Sequence, residues 1–373
     1  MPELAQQTYA LFAIERDDRR AAGMVDNLKL RTVSVRQTHG LEVDGDDAAA
    51  KLSFGFLYGH GRLSYSCAPM ATTVHLEKLN AAQRKAVSYG EATAGKGFSA
   101  GPLLIIAGAG TGKTDTLARR VAHLAMHGVD PARILMLTFT RRAGTEMRRR
   151  AKDVIKKALD EPLGGISDSV AQRLTWAGTF HSIGGRLIRH YARHLKLDPQ
   201  FSVLDRADSA DLLDVIRQEL GLAAREQRFP RKETCLQIYS HRVNTRLGLK
   251  DTLERQYPWC VQWEQDLTRL YRAYVERKQR LNLLDYDDLL LYWHVMMQEP
   301  KLAEHVSAHF DHVLVDEYQD TNRLQAEILY ALKPQGTGVT VVGTTHRRSI
   351  HFARRQWKTF WGFRIATRRV PRL

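Results

Sequence analysis

Leu103-Leu104-Ile105-Ile106-Ala107-Gly108-Ala109-Gly110-Thr111-Gly112-Lys113-Thr114 is the stretch that decides how the rest of the chain is read. Leu103 to Ala107 are apolar and of strand type, the residues after them are small, and Lys113-Thr114 opens a helical pattern with Leu117, Val121 and Leu124 on one face. The order is strand, phosphate-binding loop, helix. Glycines let the backbone curl so that successive N–H groups point at a polyphosphate, with the positive end of the helix dipole behind them. The candidate nucleotide cradle is therefore Ala107, Gly108, Ala109, Gly110, Thr111, Gly112, Lys113 and Thr114. Lys113 would reach the β- and γ-phosphates, and Thr114 would hold Mg²⁺. The pattern G-x-x-x-x-G-K-[ST] asks for glycine at position 107, where this chain has alanine. A Gly-rich turn without a ligand would need neither the strand before it nor the amphipathic helix after it.

Far downstream, His312-Val313-Leu314-Val315-Asp316-Glu317-Tyr318-Gln319-Asp320-Thr321-Asn322 is an apolar strand that ends in adjacent acids. Asp316 would orient Mg²⁺, usually through water, and Glu317 would polarise the water that attacks the γ-phosphate. An Asp-Glu pair at a strand end is common by itself; with a phosphate loop it marks an ATPase rather than a static binder. Val339-Thr340-Val341-Val342-Gly343 reads as a further strand beside it in a parallel sheet.

Between these two motifs, Ile134 to Phe139 forms a strand that ends in Thr140-Arg141-Arg142-Ala143-Gly144-Thr145-Glu146-Met147 and a basic helix. Thr179-Phe180-His181-Ser182 enters another helix. Hydroxyls, an aromatic ring and a histidine at strand ends suit a groove that holds a sugar-phosphate backbone and stacks a base. The basic run 148–157 reads by itself as a solvated helix face. Upstream, Gln83 lies in the short helix begun by Leu79 to Val87, and its amide offers a donor and an acceptor that match the N6 and N7 edge of adenine. Residues 200–300 are mostly helical by pattern: Asp205 caps a helix with Leu212, Leu213 and Ile216 inside, and Leu267, Leu270, Tyr271 and Tyr274 line a longer one. The acids of Asp285-Tyr286-Asp287-Asp288 read as caps and dipole complements rather than as a metal cluster.

A length of 373 residues allows two or three domains. Cys67, Cys235 and Cys260 are far apart, with neither disulfide-framework nor zinc spacing, which points to a reducing, cytoplasmic setting. No apolar run approaches membrane-spanning length, and the N-terminus lacks the basic start and continuous hydrophobicity of a signal peptide, so no membrane partner is expected. A formal charge of +15 invites a nucleic-acid partner, but residues 344–373 hold nine of those charges with no acid, leaving only +6 for the rest. Residues 1–70 show neither helical period nor strand alternation and are expected to be a poorly ordered extension.

The ordered segments Leu79 to Gln83, Ala107 to Thr114, Leu137 to Met147, Thr179 to Ser182, Asp285 to Leu290 and Asp316 to Asn322 resemble the successive motifs of the UvrD/Rep-like superfamily 1 DNA helicases. The Asp-Glu-Tyr-Gln-Asp-Thr run together with Thr-Phe-His-Ser is highly specific. The resemblance implies an α/β fold: a RecA-like P-loop NTPase parallel sheet with an inserted all-helical domain. Residues 71–182 and 285–343 would form the first RecA-like, ATP-binding domain, and 183–284 the helical insertion. It also implies movement along single-stranded DNA in the 3′ to 5′ direction, driven by ATP hydrolysis between two RecA-like domains. Thr140, Phe180 and His181 match positions near the DNA groove, and Gln319 and Asp320 match positions that couple nucleotide to DNA.

The match ends at Gly343, where the family pattern continues with acids and a γ-phosphate-sensing Gln but this chain has Thr344-Thr345-His346-Arg347-Arg348. Codons can be chosen for a family-like continuation so that, with one base lost after the Gly343 codon, the shifted frame encodes the run from Thr344 to Gly362. The tail 344–373 is therefore expected to be out-of-frame text. On this reading the chain keeps the ATP and Mg²⁺ half-site, binds single-stranded DNA weakly and cannot unwind DNA unaided. The second domain, whose arginine finger contributes roughly 10³–10⁵ in rate, would be missing on this reading. The alternatives are a noncatalytic ATP- and DNA-binding fragment, able to interfere with a full-length helicase, or an inert truncated gene product.

Overall fold

Side chains that alternate between two covered faces build the centre of the molecule. The computed structural model describes residues 74–93, 97–108, 110–163, 166–223 and 229–344. In chain order the strands are β1 (Glu91–Thr93), β2 (Gly97–Ser99), β3 (Leu103–Ala107), β4 (Ile134–Thr138), β5 (Ala177–Thr179), β6 (Ser202–Val203), β7 (Leu283–Leu284), β8 (His312–Val315) and β9 (Val339–Thr344). The main sheet has five strands in the order β3-β9-β8-β4-β5, and every pairing in it is parallel. Leu135, Leu137, Val313, Val315, Val339 and Val341 face one core, while Ile134, Met136, Leu314 and Val342 face the other. This period of two explains why β4 and β8 are buried at every position: a parallel sheet sandwiched between helix layers has no wet face.

One layer holds α2 (Lys113–Met126), α3 (Arg141–Leu163) and α4 (Ile166–Gln172), reached after the short α1 (Ala81–Val87). The opposite core is built with α5 (Phe180–His190). The helical block follows as α6 (Arg206–Glu219), α7 (Lys232–Thr245), α8 (Leu249–Gln256) and α9 (Glu264–Arg280). The chain then returns through α10 (Tyr286–Met296), α11 (Pro300–His309) and α12 (Arg323–Leu332). Asp205 caps α6 as expected, with Leu213 and Ile216 buried, and Leu267, Leu270, Tyr271 and Tyr274 are buried along α9. The chain's entry into this block and its exit are zipped together, because β6 pairs with β7 in parallel and Leu204 N–H donates to Leu284 O at 2.8 Å.

The expected boundary at residue 183 falls inside α5. That helix is continuous, and its Ile183, Leu187 and Ile188 belong to the core beneath the sheet, packed with Leu289 and Trp293 of α10. Thr344, assigned to the tail from sequence, is the last residue of β9; it pairs with Ala107, and its N–H donates to Gln319 Oε1 at 2.9 Å. The expected extension 1–70, the tail beyond Thr344 and the loop residue Ala109 lie outside the described residues. Among the described residues no helix is long and apolar enough to cross a membrane.

Candidate nucleotide and nucleic-acid site

The phosphate loop leaves β3 and enters α2 through two glycines in the left-handed region, Gly110 at φ 75° and Gly112 at φ 80°. Those are the positions where a side chain would be strained. Ala107 is not one of them: it is an ordinary strand residue in β3, so its methyl group is carried without cost. Gly112 is the N-cap of α2 and gives it no side-chain cap, which leaves the first N–H groups of the helix for an anion. Thr111 Oγ1 donates to Gly108 O at 2.8 Å, and Lys113 Nζ lies 3.3 Å from the same carbonyl. The ammonium group is thus folded back over the loop that it would share with a phosphate.

Across the sheet, Thr114 Oγ1 donates to Asp316 Oδ2 at 3.0 Å, joining residues 202 positions apart. Burial raises the Asp316 carboxyl above its usual range, offset in part by that hydroxyl and by Lys113. A divalent cation would reverse this by stabilising the carboxylate. The donor set suits Mg²⁺, which takes one or two protein oxygens and completes its shell with water and phosphate oxygens. Among the described residues there is no group of three or more His, Cys, Asp or Glu that could hold a metal by itself. Glu317 N–H donates to Asp316 Oδ1 at 3.0 Å. Gln319 Nε2 donates to Glu317 Oε2 at 2.6 Å and to Asp320 Oδ2 at 3.0 Å, while its Oε1 accepts from Thr344 N–H. Gln319 therefore ties the second acid to the end of β9.

Gln83 stands beside the loop in a different role from the one its sequence suggests. Its Oε1 accepts from Asn80 N–H at 3.0 Å to complete the capping box of α1, and its Nε2 donates to Thr111 O at 2.9 Å. Both ends of the amide are occupied by protein, so in this state Gln83 braces the phosphate loop and must release it to read a base.

The second cluster forms where β4 and β5 end side by side, Thr138 paired with Thr179. Thr140 Oγ1 accepts from Ala143 N–H at 3.1 Å at the start of α3, and Thr179 Oγ1 accepts from Ser182 N–H at 3.2 Å to cap α5. Phe180 does not face the groove. Its ring is 3% exposed and packs against Trp293 in the core, so it cannot stack a base and instead anchors α5. His181, the next residue, meets the Tyr286 ring at 5.7 Å, and burial followed by the charge of Arg141 holds its imidazole below the usual range. Two rings at this cluster are exposed instead: Phe139 at 58% and Tyr286, the partner of His181, at 37%. Phe139 directly follows the all-buried β4, and breaking that burial is the signal that singles it out.

The helix carrying Tyr286 starts in a buried ion cluster. Asp285 and Asp288 form the capping box of α10, as their spacing implies, and Lys278 Nζ donates to both at 2.6 and 2.5 Å. Tyr274 OH donates to Asp285 at 2.9 Å, and the ammonium lies 4.4 Å from the Tyr274 ring centroid.

A nucleotide cradle and a carboxylate pair at the C-terminal edge of a parallel sheet define a RecA-like P-loop domain. Residues 79–347 match the UvrD/REP helicase N-terminal domain family, and the chain belongs to that family. It is 35% identical over 262 residues to the ATP-dependent DNA helicase UvrD1 of Mycobacterium tuberculosis, covering 67% of this chain and 30% of that protein. It is 32% identical over 270 residues to DNA helicase II of Escherichia coli, covering 72% of this chain and 34% of that protein. The chain thus spans about a third of the length of the curated relatives it matches.

Proposed function

We propose that residues 74–344 form the ATP-binding and ATP-hydrolysing half of a DNA helicase that acts on single-stranded DNA in the 3′ to 5′ direction, in a cytoplasmic setting. The observation that carries this reading is the 3.0 Å contact between Thr114 Oγ1 and Asp316 Oδ2, which sets the loop hydroxyl and the strand-end carboxylate at one point. Bound there, Mg²⁺ would neutralise phosphate charge. Lys113 swings from Gly108 O to the β- and γ-phosphates, Glu317 takes the proton of the attacking water, and Gln319 with Asp320 relays the state of Glu317 to β9. Single-stranded DNA lies over the ends of β4 and β5, with its backbone on the N-terminus of α3 and the Thr140 region and its bases on Phe139, Tyr286 and His181.

Translocation needs two lobes that close and open around nucleotide. The described lobe supplies one wall, so by itself it binds ATP, hydrolyses it slowly and does not unwind. Lys113→Ala removes a charge-assisted contact worth about 1.5–3 kcal/mol and is expected to weaken binding of a fluorescent ATP analogue roughly 10- to 100-fold. Equal affinity of variant and parent would overturn the nucleotide site. ATPase assays with and without oligo-dT separate the remaining possibilities: DNA-stimulated turnover supports the helicase half, and binding without turnover marks a noncatalytic module.

A further inference from the structure

Asn244, near the end of α7, spends its side-chain amide on two other elements. Its Oδ1 accepts from Asn322 Nδ2 at 2.7 Å, and its Nδ2 donates to Asp287 Oδ1 at 2.7 Å and to Ser240 O at 2.8 Å. Asn322 is the N-cap of α12, its own Oδ1 accepting from Gln325 N–H at 2.8 Å, and it closes the segment that begins with Asp316 and Glu317. Asp287 lies in the first turn of α10, directly after Tyr286, whose ring meets that of His181. One amide from the helical block therefore joins the segment that leaves the catalytic acids to the helix start that carries a groove aromatic. Arg246, two residues on at φ 59°, adds a second tie to α12 through Glu327, Nε to Oε2 3.4 Å.

The amide has only one workable orientation. Flipping it would set its oxygen against the Asp287 carboxylate and its NH₂ against the NH₂ of Asn322. A displacement of either neighbour by about an ångström stretches a 2.7 Å hydrogen bond past the useful range, so the two elements move together or one bond breaks. The geometry points to Asn244 as a positioning residue that couples the nucleotide site to the DNA groove by holding segment 316–322 in register with Tyr286. This rests on the reading of the two sites given above.

The test uses the full chain and two probes, a fluorescent ATP analogue with Mg²⁺ and a labelled oligo-dT, each titrated with and without the other. Linkage requires the same coupling factor from both directions, typically about 5- to 150-fold. The parent is expected to show about fivefold or more. Asn244→Ala should bind each ligand alone within about twofold of the parent and lose most of that coupling factor. Asn322→Asp keeps a good N-cap and replaces the donor with a carboxylate oxygen that repels Asn244 Oδ1, so it should show the same loss and guards against misfolding of the first variant. A purely structural role would lower the melting temperature and leave the coupling factor alone. Parental coupling in either folded variant overturns this inference while the site reading stands, and so does a parent that binds both probes without coupling. A parent that binds neither probe overturns the site reading and this inference together.

Discussion

Glu317 stands at φ 50° and ψ 44°, a left-handed conformation that costs a residue with a side chain roughly 1–2 kcal/mol. Strain of this kind persists where neighbours over-determine it, and here Asp316 Oδ1 takes its N–H while Gln319 takes its carboxylate. Glu317→Gln keeps the shape and removes the base. Nucleotide affinity should stay within about twofold, and single-turnover hydrolysis should fall roughly 10²- to 10⁴-fold. An unchanged rate would take Glu317 out of the proton-accepting role. Sequence motifs indicated Lys113, Thr114 and Asp316, because a phosphate loop and a strand-end acid have fixed local spacings, and the structure brings Thr114 and Asp316 into contact. They did not indicate which aromatic faces outward. Phe139 and Phe180 both follow strands, and only the packing of Trp293 draws one ring inward.

Capping and periodicity are local and legible in the sequence, whereas charges that meet across the chain are not. Asp285 and Asp288 were legible as caps, but a lysine on a helix reads as solvated, so the burial of Lys278 between them was not. The turn before β9 gives a sharper test of element packing. Gly338 has φ 78°, its N–H donates to Ala100 O at 2.8 Å, and its carbonyl accepts from Val313 N–H at 3.0 Å. A Cβ there would sit 2.2 Å from Asp311 O, which is backbone and cannot swing away. Gly338→Ala is expected to destabilise the chain by about 1–3 kcal/mol, read as a lower denaturant midpoint. An unchanged midpoint would mean that the turn yields without disturbing β8 and β9.

Across the whole molecule, among the buried groups that make stability depend on pH, two act with opposite sign. His123, in the last turn of α2, packs with His75, His127 and Phe98, and burial followed by the charges of His127, His75 and Arg120 lowers its pKa to about 3. The unfolded chain binds this proton below its ordinary pKa near 6.5 and the folded one does not, so stability is lost as the solution is acidified. Asp288 behaves in reverse. Burial and then the Asp285 charge raise it above the ordinary carboxylate range, so the folded chain binds the proton first and stability is lost as pH rises. Between about pH 5 and 6.5 the His123 proton is worth about 1.4 kcal/mol per pH unit, and the Asp288 proton opposes it. On acidification from about pH 6.5 to 5, His123→Leu should therefore lose less melting temperature than the parent, and Asp288→Asn should lose more. Parallel melting profiles for all three would show that neither group titrates as its surroundings imply. The order of the main sheet has a further consequence for how the chain is made. β9 and β8 sit between β3 and β4 although they are synthesised after both. At about 5–20 residues per second, the ribosome delivers Asp316 roughly 10 to 40 seconds after Thr114. During that interval β3 and β4 have unpaired edges and apolar faces awaiting neighbours, a state open to chaperones and to wrong partners. ATP can stabilise the newborn chain only after the last of these central strands has slid into place.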